Sequence, residues 1–64
     1  MPKIERVVHI PYQGTNYIYT VYAHSNARAI LDAQHKLEKE LGKMRGSLKK
    51  DIESALSQIL VQLK

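Results

Sequence analysis

The chain of 64 residues contains no cysteine, which excludes disulfide bonds and metal sites built on thiolates. A domain of this size buries only about 60% of its unfolded surface and is marginally stable by itself. Small domains usually gain stability from a disulfide, a metal ion or a second chain. The three histidines lack the spacing of three or four residues that places two ligands on one helix face. We therefore expect no metal or other cofactor, and we expect self-association.

Long apolar runs are also missing from the sequence. No stretch approaches the ~20 residues that a helix needs to cross a bilayer, and no signal peptide is visible at the N-terminus. The absence of cysteine agrees with a reducing compartment. The sequence thus predicts a soluble cytoplasmic protein with no membrane partner.

Two segments with the composition of strands flank a cluster of turn residues. Residues 3–12 and 17–23 are rich in β-branched and aromatic side chains, and residues 13–16 lie between them. This pattern predicts a β-hairpin over residues 3–23. A loop of two or four residues gives the hairpin one mainly apolar face, which we expect to cover the helical part. That face carries Ile4, Arg6, Val8, Ile10, Tyr12, Tyr17, Tyr19, Val21 and Ala23.

The second half of the chain carries apolar residues on an eleven-residue repeat with spacings of 3, 4 and 4. The repeat comprises Ile30, Ala33, Leu37, Leu41, Met44, Leu48, Ile52, Ala55, Ile59 and Leu63. Its period of about 3.67 residues per turn predicts helical structure over residues 26–63, with Ser25 or Asn26 as N-cap. A hairpin of this length covers such a helix only to about residue 41. The remainder of the apolar stripe therefore needs another partner.

Two interpretations of residues 42–47 remain open. In the first, Gly46 ends one helix in the left-handed conformation and Ser47 caps a second helix. In the second, one kinked helix continues through this segment, and Gly42 and Gly46 each cost about 1 kcal/mol. Glycine next to serine favours a break, whereas the uninterrupted phase of the repeat favours continuity.

The predicted fold is a single small α+β domain over residues 1–64. It has an N-terminal β-hairpin followed by two helices (ββαα) or by one long kinked helix, and homodimerisation completes it. The apolar residues beyond the reach of the hairpin form the predicted oligomer interface. They are Leu48, Ile52, Leu56, Ile59, Leu60 and Leu63.

The excess positive charge is concentrated in one segment. Residues 36–50 hold six cationic side chains against two carboxylates, a net charge of +4 that equals the charge of the whole chain. A helix beginning at Ser47 would offer free backbone N–H groups to a phosphate beside these cations. The predicted phosphate-binding or nucleic-acid-binding residues are Lys43, Arg45, Ser47, Lys49 and Lys50. The simpler alternative is a solvated basic loop without a ligand.

No arrangement of residues indicates catalysis. His9, Thr20 and Tyr22 share one hairpin face, but an ordinary half-exposed sheet face explains them, and the chain is too small to enclose a deep pocket alone. The sequence therefore predicts a small basic, non-enzymatic, homo-oligomeric protein. We expect it to bind the phosphate backbone of DNA or RNA in a regulatory or accessory role. The alternative is a protein-interaction module or inhibitor that uses the hairpin edge or the C-terminal helix stripe.

Overall fold

A three-stranded antiparallel sheet and two helices make up the fold, as shown by a computed structural model that describes residues 2–63. Along the chain the elements are β1 (Ile4–Tyr12), β2 (Thr15–Ala23), α1 (Asn26–Glu40), α2 (Lys49–Ser54), a 3-10 turn (Leu56–Gln58) and β3 (Leu60–Leu63). The strands lie in the order β2, β1, β3, so β1 is central. The α+β class and the N-terminal hairpin are confirmed.

A two-residue turn closes the hairpin. Gln13 and Gly14 both have positive φ, at 50° and 79°, as a type I′ turn requires. The turn sets a register in which Tyr12 pairs with Thr15, and this register gives the predicted apolar face. The residues that the hairpin contributes to the buried core are Val8, Ile10, Val21 and Ala23.

Helix α1 packs on this apolar face. Ser25 is its N-cap, since the side-chain Oγ accepts a hydrogen bond from the N–H of Arg28 at 3.2 Å. Ala29, Ala33 and Leu37 recur every fourth residue and are fully buried against the sheet. The helix has 15 residues, about 22 Å at 1.5 Å per residue, which is shorter than the ~30 Å of a nine-residue hairpin strand.

A Schellman motif around Gly42 ends α1. The N–H of Gly42 donates to the carbonyl of Lys39 at 3.1 Å, and the N–H of Lys43 donates to the carbonyl of Glu38 at 2.8 Å. Gly42 has φ of 70°, which a residue with a side chain rarely adopts. The helical part is therefore broken, as in the first of the two interpretations left open by the sequence. Gly42 ends α1, however, and not Gly46.

The prediction of helix up to residue 63 is wrong. Helix α2 covers only six residues, and after the 3-10 turn the chain runs along β1 as β3. In β3, Leu60 pairs with His9 and Leu63 pairs with Arg6. The β-branched Ile59 and Val61 stand two residues apart and both pack against the core, a spacing that suits a strand and not a helix.

The structure divides the residues predicted for an oligomer interface. Leu48 and Ile52 are only 2% and 4% exposed because they belong to the core of the single chain. Ile59 is partly buried against the same core. The members of the predicted set that remain exposed are Leu56, Leu60 and Leu63. The eleven-residue repeat is therefore not one continuous face. Leu48 and Ile52 are buried in the core of the single chain, whereas Leu63 is exposed to solvent.

We expect Leu37→Ala to lower the free energy of unfolding by about 2–5 kcal/mol, because it leaves a cavity under α1. Leu31→Ala is the matched control on the same helix, since Leu31 is 37% exposed and its replacement should cost much less. Urea denaturation of both variants measures the difference. Equal losses would contradict the packing described here.

Candidate functional site

A buried carboxylate organises the loop between the two helices. Glu38 on α1 is 1% exposed. Its Oε1 accepts the N–H of Gly46 at 2.9 Å, and its Oε2 accepts the N–H of Leu48 at 2.9 Å. Oε2 also accepts a hydrogen bond from the side-chain amide of Gln34 at 3.0 Å. These bonds satisfy both oxygens and fix the loop to the last turns of α1.

The same hydrogen bonds determine the charge of Glu38. Burial by itself would raise the pKa of the carboxyl group. The N–H groups of Gly46 and Leu48 and the amide of Gln34 outweigh burial, and His35 acts in the same direction, so the pKa lies below its ordinary value of 4.5. Glu38 is therefore a carboxylate at neutral pH, held by the loop that it organises.

The Glu38 carboxylate binds backbone N–H groups in the segment where the sequence predicts a phosphate site. Helix α2 begins at Lys49 with Leu48 as N-cap, and no side chain caps it within its own segment, so the prediction of Ser47 as the cap is wrong. The N–H groups of Gly46 and Leu48, just before α2, bind the Glu38 carboxylate. The start of α2 favours acidic residues over Lys49 and Lys50, and Asp51 in its first turn supplies one.

A β-turn inside the loop presents its basic residues. The N–H of Ser47 donates to the carbonyl of Met44 at 3.0 Å. Gly46 has φ of 87° in the third position of this turn, where a type II turn requires positive φ. Met44 is 83% exposed and Arg45 is also exposed. The side chains of Met44 and Arg45 are therefore exposed to solvent, while the backbone of the turn is hydrogen-bonded to Glu38 through Gly46.

Cationic side chains surround this loop and form an open cleft of about 330 Å³. Within residues 2–63, the cations of segment 36–50 make no ion pair and no side-chain hydrogen bond. By contrast, Arg28 at the other end of α1 pairs with Asp32 at 3.4 Å. The charge around the cleft is thus available to an external anion. The residues that line the cleft are His35, Glu38, Lys39, Lys43 and Arg45.

The structure brings together part of the predicted site. Lys43 and Arg45 lie at the cleft, whereas Ser47, Lys49 and Lys50 follow it along the chain and are exposed to solvent. His35 and Lys39 also line the cleft, although they are not among the predicted site residues. A spacing of four residues places these two side chains on the same helix face, and this is the signal that could have identified them.

The outer face of the sheet, away from α1, carries His9. His9 pairs with Ile18 on one side and with Leu60 on the other, and its Nε2 has no hydrogen-bond partner.

In the described part of the chain, no cluster of three or more acidic, histidine or cysteine side chains could bind a metal ion. None of the helices seen there has the length and apolar character needed to cross a membrane.

Comparisons of the chain with protein-family models, with curated proteins and with solved structures gave no match.

We expect Glu38→Gln to lower the free energy of unfolding at pH 7 by about 2 kcal/mol. The glutamine amide would face one of the two backbone N–H donors, so one buried hydrogen bond is lost and a donor is left unpaired. Glu40→Gln is the control, because Glu40 is exposed and accepts only the hydroxyl of Tyr19 at 3.0 Å. Its replacement should cost about 0.5 kcal/mol or less, as measured by urea denaturation.

The contribution of Glu38 to the free energy of unfolding should decrease as the pH is lowered. Because folding lowers the pKa of this carboxyl group below 4.5, its contribution is complete above pH 4.5 and disappears as the pH falls through the folded-state pKa. The difference in free energy of unfolding between the wild type and Glu38→Gln should therefore shrink as the pH is lowered below 4.5, as denaturation curves at a series of pH values measure. Parallel curves that keep their separation at low pH would show that the Glu38 charge does not stabilise the loop.

Proposed function

We propose that the chain is a small basic, non-enzymatic, homo-oligomeric protein that binds the phosphate backbone of DNA or RNA. It would act in the cytoplasm in a regulatory or accessory role. The observation that carries the proposal is the convergence of Lys39, Lys43 and Arg45 on one open cleft. No described residue neutralises these cations through an ion pair. Lys49 and Lys50 add exposed positive charge at the start of α2.

Side chains, and not backbone amides, make the phosphate contacts in this proposal. Glu38 already binds the N–H groups of Gly46 and Leu48. Arg45 can bind two phosphate oxygens at once through its planar guanidinium group, whereas Lys43 acts as a point charge. Contacts of this kind position a protein on nucleic acid but do not read its sequence. The proposal is therefore backbone binding without sequence preference.

Binding by this surface should release counterions and weaken steeply with salt. We expect Arg45→Ala to reduce the slope of log affinity against log salt by about 1, whichever sequence is bound. Arg28→Ala is the matched control, because Arg28 is an exposed arginine of α1 that pairs with Asp32. Fluorescence anisotropy with labelled duplex DNA and single-stranded RNA measures both slopes. Absence of binding at about 50 mM salt would refute the proposal.

The outer face of the sheet favours a second candidate, a protein-interaction module. Ile18, Tyr22 and Leu60 are 56%, 61% and 49% exposed on strands whose other face packs on α1. The C-terminal helix stripe named in the sequence analysis is not available for this role, because residues 60–63 form β3. Retention of one defined protein from a nuclease-treated lysate, unaffected by Arg45→Ala, would support this candidate over nucleic-acid binding.

A further inference from the structure

We propose that two copies of the chain join through the free edges of their β2 strands, which pair antiparallel and create one six-stranded sheet. The inference rests on the homo-oligomeric part of the proposed function and names the surface involved. It does not depend on nucleic-acid binding.

The two edges of the sheet differ in length and in composition. Strand β3 is a short edge of four residues, whereas the edge strand β2 (Thr15–Ala23) has nine. Edge strands of monomeric proteins are usually protected by charged residues, proline, bulges or shortness. Strand β2 contains no charged residue, proline or glycine, and its register with β1 is unbroken over all nine pairs. It therefore lacks the usual protection against pairing with another strand.

The backbone groups that face this edge follow from the hairpin turn. A two-residue loop closes with a hydrogen-bonded pair, here Tyr12 and Thr15, and such pairs alternate along an antiparallel ladder. Pro11 pairs with Asn16, and in this alternation that pair is a non-hydrogen-bonded one. This agrees with the sequence, because proline has no N–H to donate to β2. The β2 residues whose N–H and C=O groups point away from β1 are Asn16, Ile18, Thr20 and Tyr22.

A second copy of the same strand satisfies all of these groups. Pairing centred on Tyr19 places Ile18 opposite Thr20 of the other copy and Asn16 opposite Tyr22. This is the register in which all nine residues pair, and it forms about eight hydrogen bonds between the chains, within the usual range for a protein interface. Because β2 is uncharged, no like charges oppose each other. Tyr19 meets its own copy, and such aromatic cross-strand pairs are favourable.

Helix α1 lies close to the proposed joint. The two-fold axis of an antiparallel edge pairing is perpendicular to the sheet, so both α1 helices lie on the same side. Each α1 packs on core residues from β1 and β2, including Val8 and Val21. The two α1 helices are therefore neighbours in the proposed dimer, and packed helices normally lie 8–10 Å apart.

Sedimentation or light scattering of the free protein tests the proposal. The wild type should be a dimer. Thr20→Pro should be monomeric with an unchanged circular dichroism spectrum, because the N–H removed faces solvent in a single chain. Leu63→Pro is the matched control on the opposite edge, at a residue that is 67% exposed, and should remain dimeric. A monomeric wild type, or a folded Thr20→Pro dimer, overturns the proposal.

Disulfide trapping provides a second measurement if Thr20→Pro does not fold. Because the chain has no cysteine, only introduced thiols can react. Mixing an Ile18→Cys chain with a Thr20→Cys chain should give a covalent heterodimer after mild oxidation, since paired strand residues lie about 5.5 Å apart at Cα. Replacing the Ile18→Cys partner with Ser57→Cys, an exposed position outside the sheet, should abolish that heterodimer. Equal cross-linking by both partners refutes the proposed edge.

Two further outcomes separate this inference from the proposed function. If Leu56→Asp dissociates the dimer and Thr20→Pro does not, the interface lies at the exposed C-terminal leucines and the β2 proposal is wrong. Salt-dependent binding of duplex DNA is measured on the same variants. Binding by a wild type that is monomeric would refute the edge pairing and the homo-oligomeric part of the proposed function but not nucleic-acid binding, whereas a β2 dimer that fails to bind would refute only nucleic-acid binding.

Discussion

The buried carboxylate of Glu38 is the constraint on which the helical half of the fold depends. It joins the end of α1 to the N–H groups of Gly46 and Leu48. The bond to Leu48 also holds that residue where its side chain enters the core. The bonds of one carboxylate therefore set the path of the loop, the start of α2 and part of the hydrophobic packing. They also leave the neighbouring cations in solvent, because the internal anion is already fully hydrogen-bonded.

The hairpin and α1 could be predicted from the sequence because local signals specify them. Gln13-Gly14 sets the turn, and the alternating apolar residues around it set the face. Helix α1 begins after the predicted cap Ser25 and ends near Gly42. Each of these features depends on residues close together in the chain, so propensity and periodicity agree with the final structure.

The C-terminal third and the centre of the site could not be predicted in the same way. Apolar residues from 44 to 63 are spaced by three and four residues, a pattern typical of a helix. In the structure, however, β3 pairs with β1, and Ile59 and Val61 pack against the core beside and within that strand. In the sequence, Glu38 is only one of two carboxylates that lower the net positive charge of residues 36–50. Its structural role depends on the N–H groups of residues eight and ten positions further along the chain, and no periodic pattern reveals these contacts. Tertiary contacts override local preference in both cases.

The position of β3 has a consequence for the order of folding. Leu63 pairs with Arg6, so this contact closes a loop of nearly the whole described chain, whereas the hairpin and α1 use contacts between near neighbours. Distant contacts carry the largest loop-closure entropy and form slowly. We therefore expect β3 to dock last and to detach first in partial unfolding. Its four-residue strand is then the weakest part of the sheet, and its loss would uncover the backbone of the central strand.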